Sequence, residues 1–192
     1  MKKILIGTHN QGKFKEIAYL ISNRYKKISP LSLNIKSPKE TGKTFCSNSK
    51  LKVNFFSKFV NFPVISDDSG LCIKALNNKP GIHSARLAKR KGSFHQAMKF
   101  LLKKLKNRKN RSAFFVCNLS YKNINGKVIS VEGKISGKIS NKIKGKKGFG
   151  YDPIFIPNNR KITFAEMSKF TKIKMDHRFI AFKKLKKKIR TL

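Results

Sequence analysis

Apolar residues fall in short blocks along this chain, and the spacing within each block alternates between a strand period and a helix period. Lys3 to Gly7 reads as a short buried strand. Phe14, Ile17, Ala18, Leu20 and Ile21 then recur at helical spacing up to about Tyr25. The segment from Lys26 to Thr44 contains Pro30, Pro38 and Gly42 and is expected to hold a second strand before a turn at Glu40-Thr41-Gly42. Helical periodicity returns from about Phe45 to Phe59, with Leu51, Phe55, Phe56 and Phe59 as the core face and Asn48 and Lys52 off it. Pro63 stops that helix and opens the run Pro63-Val64-Ile65, a strand leading into Ser66-Asp67-Asp68-Ser69-Gly70 at a tight turn.

Beyond it, Leu71 to Leu76 is predicted as another strand, ended by Asn77-Asn78 and followed by the turn and short helical piece of Pro80-Gly81-Ile82-His83-Ser84-Ala85-Arg86. From Ser93, an N-cap residue, the positions Phe94, Ala97, Met98, Leu101, Leu102 and Leu105 mark an amphipathic helix. Ser112 to Tyr121 and Lys127 to Ile139 are β-rich runs flanking Asn125-Gly126, a strong hairpin signal. A glycine-rich loop, Gly145 to Pro153, precedes a last helix over Met175 to Leu192, with Asp176 where an N-cap belongs. Strands and helices in this order imply an α/β fold with a mixed sheet. No repeat or domain-sized linker interrupts it, so residues 1–192 are expected to form a single domain.

Composition changes this picture mainly through charge. Lys and Arg number 46 against 8 Asp and Glu, a formal net charge of +38. A basic surface gains affinity for phosphates by releasing counterions, so non-specific nucleic-acid adhesion is expected. Lys is nevertheless spread through every element among many Asn, Ile and Phe, the mark of a compositional drift rather than of one dedicated patch. Cys46, Cys72 and Cys117 are far apart and lack metal-ligand spacing, consistent with reduced thiols in a cytosol. Ile4-Leu5-Ile6 is too short for a signal peptide, and no segment approaches bilayer length, so a soluble, cytoplasmic protein without membrane partners is expected.

The chemistry concentrates where carboxylates are scarce. Asp67 and Asp68 stand side by side, and adjacent carboxylates repel unless a cation or a proton lies between them. Magnesium fits that need, because it takes one or two carboxylates plus a substrate's phosphates; a solvated Asp-Asp-Ser-Gly turn is the plainer alternative. Thr8-His9-Asn10-Gln11-Gly12-Lys13 joins a strand to a helix start and so makes an anion site, with backbone N–H groups converging beside the Lys13 charge. Gly7, Gly12 and Lys13 match most of a P-loop, but Phe14 occupies the Ser or Thr position that would bind magnesium. Phe149 and Tyr151 can offer flat faces to a base. His177 and Arg178 place positive charge at a helix start, against the dipole, which calls for an anionic or carbonyl-bearing ligand. His9 and His83 read as hydrogen-bonding loop residues, His95 as surface, Cys72 as core, and Arg86 as serving structure or substrate.

Six stretches in order resemble the inosine triphosphate pyrophosphatase family: Thr8 to Lys13, Glu40-Thr41-Gly42-Lys43-Thr44-Phe45, Ser66 to Leu71, Pro80 to Arg86, Gly148-Phe149-Gly150-Tyr151-Asp152-Pro153-Ile154-Phe155, and His177-Arg178. The resemblance implies a long mixed sheet flanked by helices, in two lobes with a substrate cleft between them, and usually a homodimer. It implies magnesium-dependent hydrolysis of non-standard purine nucleoside triphosphates (ITP, dITP, XTP) to the monophosphate and pyrophosphate. By that resemblance Thr8, His9, Asn10, Gln11, Gly12 and Lys13 hold the triphosphate; Asp68 is proton acceptor and magnesium ligand, with Glu40 a second metal-associated carboxylate. Ser69 contacts substrate, and Phe149, Gly150, Tyr151 and Asp152 line base and sugar. Lys172 is a phosphate-side lysine, and His177 with Arg178 reads the purine 6-oxo edge. Two positions depart from the pattern: Ser47 stands where Glu is usual, removing a carboxylate near the metal, and Asp176 replaces Ser beside the base-reading pair. The competing readings are a basic nucleic-acid-binding protein without catalysis and a pyrophosphatase for modified pyrimidine nucleotides.

Overall fold

A computed structural model describes residues 1–189. Seven strands form one sheet in the order β2-β1-β3-β5-β6-β7, with β4 pairing off β3. The strands are β1 (Lys2–Ile6), β2 (Tyr25–Ile28), β3 (Val64–Ile73), β4 (Lys79–Pro80), β5 (Ser112–Lys122), β6 (Val128–Ile139) and β7 (Phe155–Pro157). Parallel pairs join β1 to β2 and to β3, and antiparallel pairs join β3 to β4 and β6 to β7, so the sheet is mixed as expected. Among the described residues six α-helices accompany it: α1 (Gln11–Leu20), α2 (Phe45–Phe56), α3 (Ser84–Arg90), α4 (Phe94–Lys104), α5 (Lys169–Ile173) and α6 (His177–Lys188). None of the described helices is long and apolar enough to cross a membrane.

By its contacts the chain divides into two compact units. Among the described residues the first comprises 1–68, 117–133 and 178–189; the second comprises 69–116 and 134–177. In the first unit, Ile4 and Ile6 of β1 cluster with Ile17 of α1, Ile21 just after it, and Ala181, Phe182 and Leu185 of α6. Leu5 and Val64 join Ile35, Val53 and Phe56 in a second cluster. This is the period-2 alternation of a strand covered on both faces, and it explains why β1 reads as a continuous apolar run. Each such side chain contributes about 1.5–3 kcal/mol on full burial. In the second unit, Leu71, Ile73, Leu87, Met98, Leu101, Phe115, Phe155 and Phe164 form the core. Ser93 caps α4 as predicted, its hydroxyl accepting the Gln96 N–H.

Several boundaries differ from the sequence-based expectation. Helix α1 ends at Leu20, and Tyr25, placed at its far end by periodicity, instead starts β2 and is buried. Helix α2 ends at Phe56, leaving Phe59 55% exposed, while the face expected to be polar holds buried Asn48 and Lys52. Asp67 and Asp68 lie in the middle of one ten-residue strand, not at a turn between two. The turn reading assumed that water would solvate the carboxylates, whereas here side-chain cations do so. The short β7 and α5 lacked enough periodic positions to be foreseen. The last helix begins at His177 and ends at Lys188; the predicted continuation to 192 includes positions 190–192, which lie outside the described residues.

Candidate active site

In the first unit, β1 runs out at Ile6, and the chain turns through Gly7 to Asn10 before α1 begins. Gly7 has no room for a side chain, because a Cβ there would meet Ser66 Oγ and the Phe56 ring. Thr8 Oγ1 accepts the Asn10 N–H at 3.2 Å, and Asn10 caps α1 by accepting the Lys13 N–H at 3.0 Å. The loop is thereby fixed, with Gln11 and Gly12 opening the positive end of the helix. His9 behaves as a loop residue: its ring bonds to the Ile35 carbonyl at 2.9 Å and to Ser37 Oγ at 2.6 Å. Lys13 Nζ lies 3.2 Å from Asp67 Oδ2.

Arg178, only 3% exposed, answers the helix-dipole puzzle within the same unit. Its Nη1 donates to Glu16 Oε2 at 2.7 Å, and its Nε lies 3.4 Å from Asp67 Oδ2. The anionic partners demanded by a basic helix start are therefore supplied by the chain itself. Asp67 sits between Lys13 and Arg178, which accounts for a fully buried carboxylate in this strand.

Asp68 points the other way. Its Oδ2 accepts a 2.9 Å hydrogen bond from Asn48 Nδ2, and the Asn48 Oδ1 in turn accepts the Gly42 N–H at 2.8 Å. Burial pushes the Asp68 carboxyl up; Lys52 and Lys13 pull it down and Glu40 pushes it further up. Lys52 donates to Glu40 Oε1 at 3.0 Å. Burial alone would lower the Lys52 ammonium, but Asp67, Asp68 and Glu40 together outweigh it and hold it above its ordinary value. Glu40 and Asp68 are thus two electrostatically coupled carboxylates around one ammonium. That donor set suits a hard divalent cation completed by phosphate oxygens. Among the described residues no cluster of three or more His, Cys, Asp or Glu could hold a metal by itself.

Helix α2 is held against β5 by a polar cluster that sequence periodicity missed. Ser49 Oγ donates to Asn118 Oδ1 at 2.7 Å and lies 2.8 Å from Ser120 Oγ, which lies 2.6 Å from Ser130 Oγ. The recoverable signal was the stripe Asn48, Ser49, Lys52, Val53 and Phe56, helically spaced but half polar. Ser47 closes a capping box with Thr44 at the start of α2.

The second unit collects the remaining predicted residues. Asp152, 3% exposed, accepts the Phe149 N–H at 2.9 Å and the Lys172 ammonium at 2.6 Å through one carboxylate oxygen. Gly148 and Gly150 adopt φ of +74° and +66°, which only glycine takes without strain, and this wraps the loop around that carboxylate. Lys172 Nζ lies 4.6 Å from the Phe149 ring centroid. Tyr151 is buried, donates to the Ser84 carbonyl at 2.8 Å, and has its phenol pushed up by burial, so it stays neutral. His177, 2% exposed, stacks on Phe115 with ring centroids 4.8 Å apart and planes 11° apart. Asp176 before it is fully buried, and its N–H donates to the Lys172 carbonyl at 3.0 Å. Ser69 follows Asp68 in β3 and is partly exposed. Gly70 beside it leaves no room for a side chain against the Gly81 carbonyl and Ser84.

A mixed α/β sheet carrying a coupled carboxylate pair, buried lysines and a helix-start anion loop defines a protein built to handle phosphates. The chain belongs to the Ham1 family, whose model matches residues 4–188. It is 39% identical over 186 residues to a dITP/XTP pyrophosphatase of Caulobacter vibrioides, covering 96% of each chain. It is 41% identical over 196 residues to a protein of the same name from Borreliella burgdorferi, covering 97% of this chain and 96% of that one. Among solved structures, the Staphylococcus aureus Ham1 protein superposes with a TM-score of 0.87 at 37% identity over 98% of both chains. A HAM1 protein from Coxiella burnetii gives 0.88 at 31% identity over the whole of both chains. The resemblance drawn from six motifs is therefore borne out.

Proposed function

We propose that this protein is a magnesium-dependent pyrophosphatase that cleaves non-standard purine nucleoside triphosphates, ITP, dITP and XTP, to the monophosphate and pyrophosphate. The observation that carries the reading is Asp68: a buried carboxyl, raised by desolvation, oriented by Asn48 and electrostatically coupled to Lys52 and Glu40. Its membership in a family whose relatives are named dITP/XTP pyrophosphatases gives that chemistry its substrate class.

Asp68 and Glu40 would hold the magnesium, which when bound neutralises charge on the phosphoryl oxygens. Asp68 accepts the proton of the attacking water, and its raised pKa brings it closer to the basicity that general-base work at neutral pH requires. The water adds to the α-phosphorus, and the bond to the bridging oxygen breaks with pyrophosphate as leaving group. Thr8, His9, Asn10, Gln11, Gly12 and Lys13 receive the polyphosphate through the α1 start, and Ser69 contacts substrate next to the base. Phe149, Gly150, Tyr151 and Asp152 line the base and sugar, and Lys172 adds positive charge. By the family resemblance His177 and Arg178 would read the 6-oxo edge, with Arg178 held in place by Glu16 and Asp67; donors there accept inosine and xanthosine and meet the adenine amino group badly. The whole chain acts as one catalytic domain, works in the cytoplasm and pairs as a homodimer.

The test is pyrophosphate release from ITP, dITP, XTP, GTP, ATP and modified pyrimidine triphosphates, with and without magnesium. Release from the first three that needs magnesium supports the reading. Release confined to pyrimidines, or none at micromolar enzyme, overturns it.

A further inference from the structure

The second unit contains a cavity of about 790 Å³ whose lining includes none of the residues assigned to catalysis or substrate binding. Its walls come from the turn after β3, from β4, from α3 and α4, and from the loop after α4. Its floor is apolar, made by Leu76, Leu87, Phe100 and Leu101. Its rim is cationic: Lys79, Arg90, Lys104 and Arg108 line it, and Arg86 joins them with its Nη1 3.1 Å from His83 Nδ1. No carboxylate lines it, and residues 69–131 include no Asp or Glu at all.

A general excess of lysine explains a basic surface, but not a concave one with an aromatic floor. Cations gathered around a low-dielectric hollow repel one another, and an anion seated there relieves the repulsion. The positive groups come from four places in the chain, β4, the end of α3, the end of α4 and the loop after it, which suits several phosphates in succession better than one. Phe100 adds the second half of the recognition. Lys91 Nζ lies 4.2 Å and Lys104 Nζ 5.9 Å from its ring centroid, so an apolar ring and ammonium groups are offered together. Rings for bases and cations for the backbone are the combination by which single strands are held; a duplex keeps its base faces stacked inside.

We infer that the α3–α4 groove is a binding site for single-stranded nucleic acid, with Phe100 receiving a base and Lys79, Arg90, Lys104 and Arg108 receiving its flanking phosphates. None of these five side chains is assigned to nucleotide hydrolysis, so the proposal does not depend on that activity.

The experiment is fluorescence anisotropy with a labelled oligouridylate of about 12 nucleotides, within the length that single-strand sites cover, titrated at several salt concentrations. The parent is compared with the R90E/K104E/R108E protein and with a control, K183E/K186E/K187E, which reverses three exposed charges on α6. Thermal unfolding establishes that each variant is folded. The groove triple should lose more than tenfold in affinity and reduce the salt slope by about 2, near 0.7 per lost phosphate contact. The control should lose under about threefold, the screened effect of distant charge. Phe100→Leu keeps every charge and should cost about fivefold or more through lost stacking. Equal losses from the two triples, or tighter binding of a duplex of equal length, would show generic adhesion only and overturn the proposal. Binding of mononucleotide with no gain for the oligomer would overturn it as well.

Discussion

Asp67 and Asp68 are neighbours in β3 whose carboxyl groups answer to different partners: Asp67 Oδ2 lies 3.2 Å from Lys13 Nζ, whereas Asp68 Oδ2 accepts the Asn48 amide at 2.9 Å. Successive strand side chains project to opposite faces, so two adjacent carboxylates can carry separate duties. Asp67 is an internal counter-charge for Lys13 and Arg178, and Asp68 is the group proposed as the base. The two isosteric amides should therefore dissociate activity from stability. Asp68→Asn should lower kcat by about 10²–10⁴-fold while folding normally. Asp67→Asn should lower the urea midpoint, with a cost of up to about 3–5 kcal/mol for breaking a buried pair. Full turnover by Asp68→Asn would refute the assignment of the base.

The raised pKa of Asp68 has a definite sign in stability. Because the folded state holds this proton more tightly than the unfolded chain, the stability it contributes is fully present below the ordinary carboxylate pKa. That stability is lost as pH rises through the raised folded value. Metal-free protein should thus lose stability across that window relative to Asp68→Asn, which carries no charge to bury. Denaturant midpoints of the two proteins, measured from acid to neutral pH, should diverge in favour of the variant. Added magnesium should restore the parent selectively, because a ligand that binds only the folded state stabilises it.

Lys52 sets how far Asp68 is raised. Its ammonium pulls the Asp68 carboxyl down, second only to the opposing effect of burial, and it also donates to Glu40. Lys52→Met removes that pull, so the acid limb of the kcat profile should move to higher pH. Stability should fall as well, since the buried carboxylates lose their common cation. An unmoved acid limb with full activity would show that Asp68 is not the titrating group.

The Ser49–Asn118–Ser120 cluster holds α2, and with it Asn48 and Lys52, in place. Ser49→Ala leaves the acceptor Asn118 Oδ1 without this donor in a buried site, a change that costs about 1–3 kcal/mol. The urea midpoint should drop accordingly. If the cluster also positions the catalytic face, magnesium-dependent turnover should fall further than the folded fraction accounts for.

What the sequence made legible follows the length and cleanliness of each pattern. β1, α4 and the β5–β6 hairpin were readable because apolar spacing, a Ser93 cap and Asn125-Gly126 all point the same way. The Asp67-Asp68 pair likewise stood out because carboxylates are scarce in a lysine-rich background, whereas the other site residues rest on the resemblance to the family. Lys52 and Asn48 were misread for a physical reason: periodicity assigns polar positions to solvent, and these two are buried because Glu40 and Asp68 meet them there. The pairing of Arg178 with Glu16, 162 residues away in sequence, is a tertiary fact that no local spacing encodes. The stacking of His177 on Phe115 is of the same kind.

In the glycine-rich loop, one carboxylate oxygen of Asp152 both accepts the Phe149 N–H and pairs with Lys172, so the loop geometry and the lysine position share one anchor. Asp152→Asn keeps the shape and one acceptor but leaves the Lys172 ammonium without its charge partner in a buried setting. Two consequences follow. The loop should open, and Lys144, Lys146 and Lys147, all exposed on it, should be cut by trypsin several-fold faster than in the parent. KM for ITP should rise by about tenfold, as expected for losing one charge-assisted hydrogen bond of 1.5–3 kcal/mol, with kcat changed less because Asp68 is untouched. Lys172→Met should reproduce the KM effect, and leave the backbone bond from Phe149 to Asp152 in place, so its trypsin sensitivity should stay closer to that of the parent. Equal protease sensitivity in both variants would place the anchoring in the ion pair; unchanged sensitivity in both would remove Asp152 as the loop's anchor.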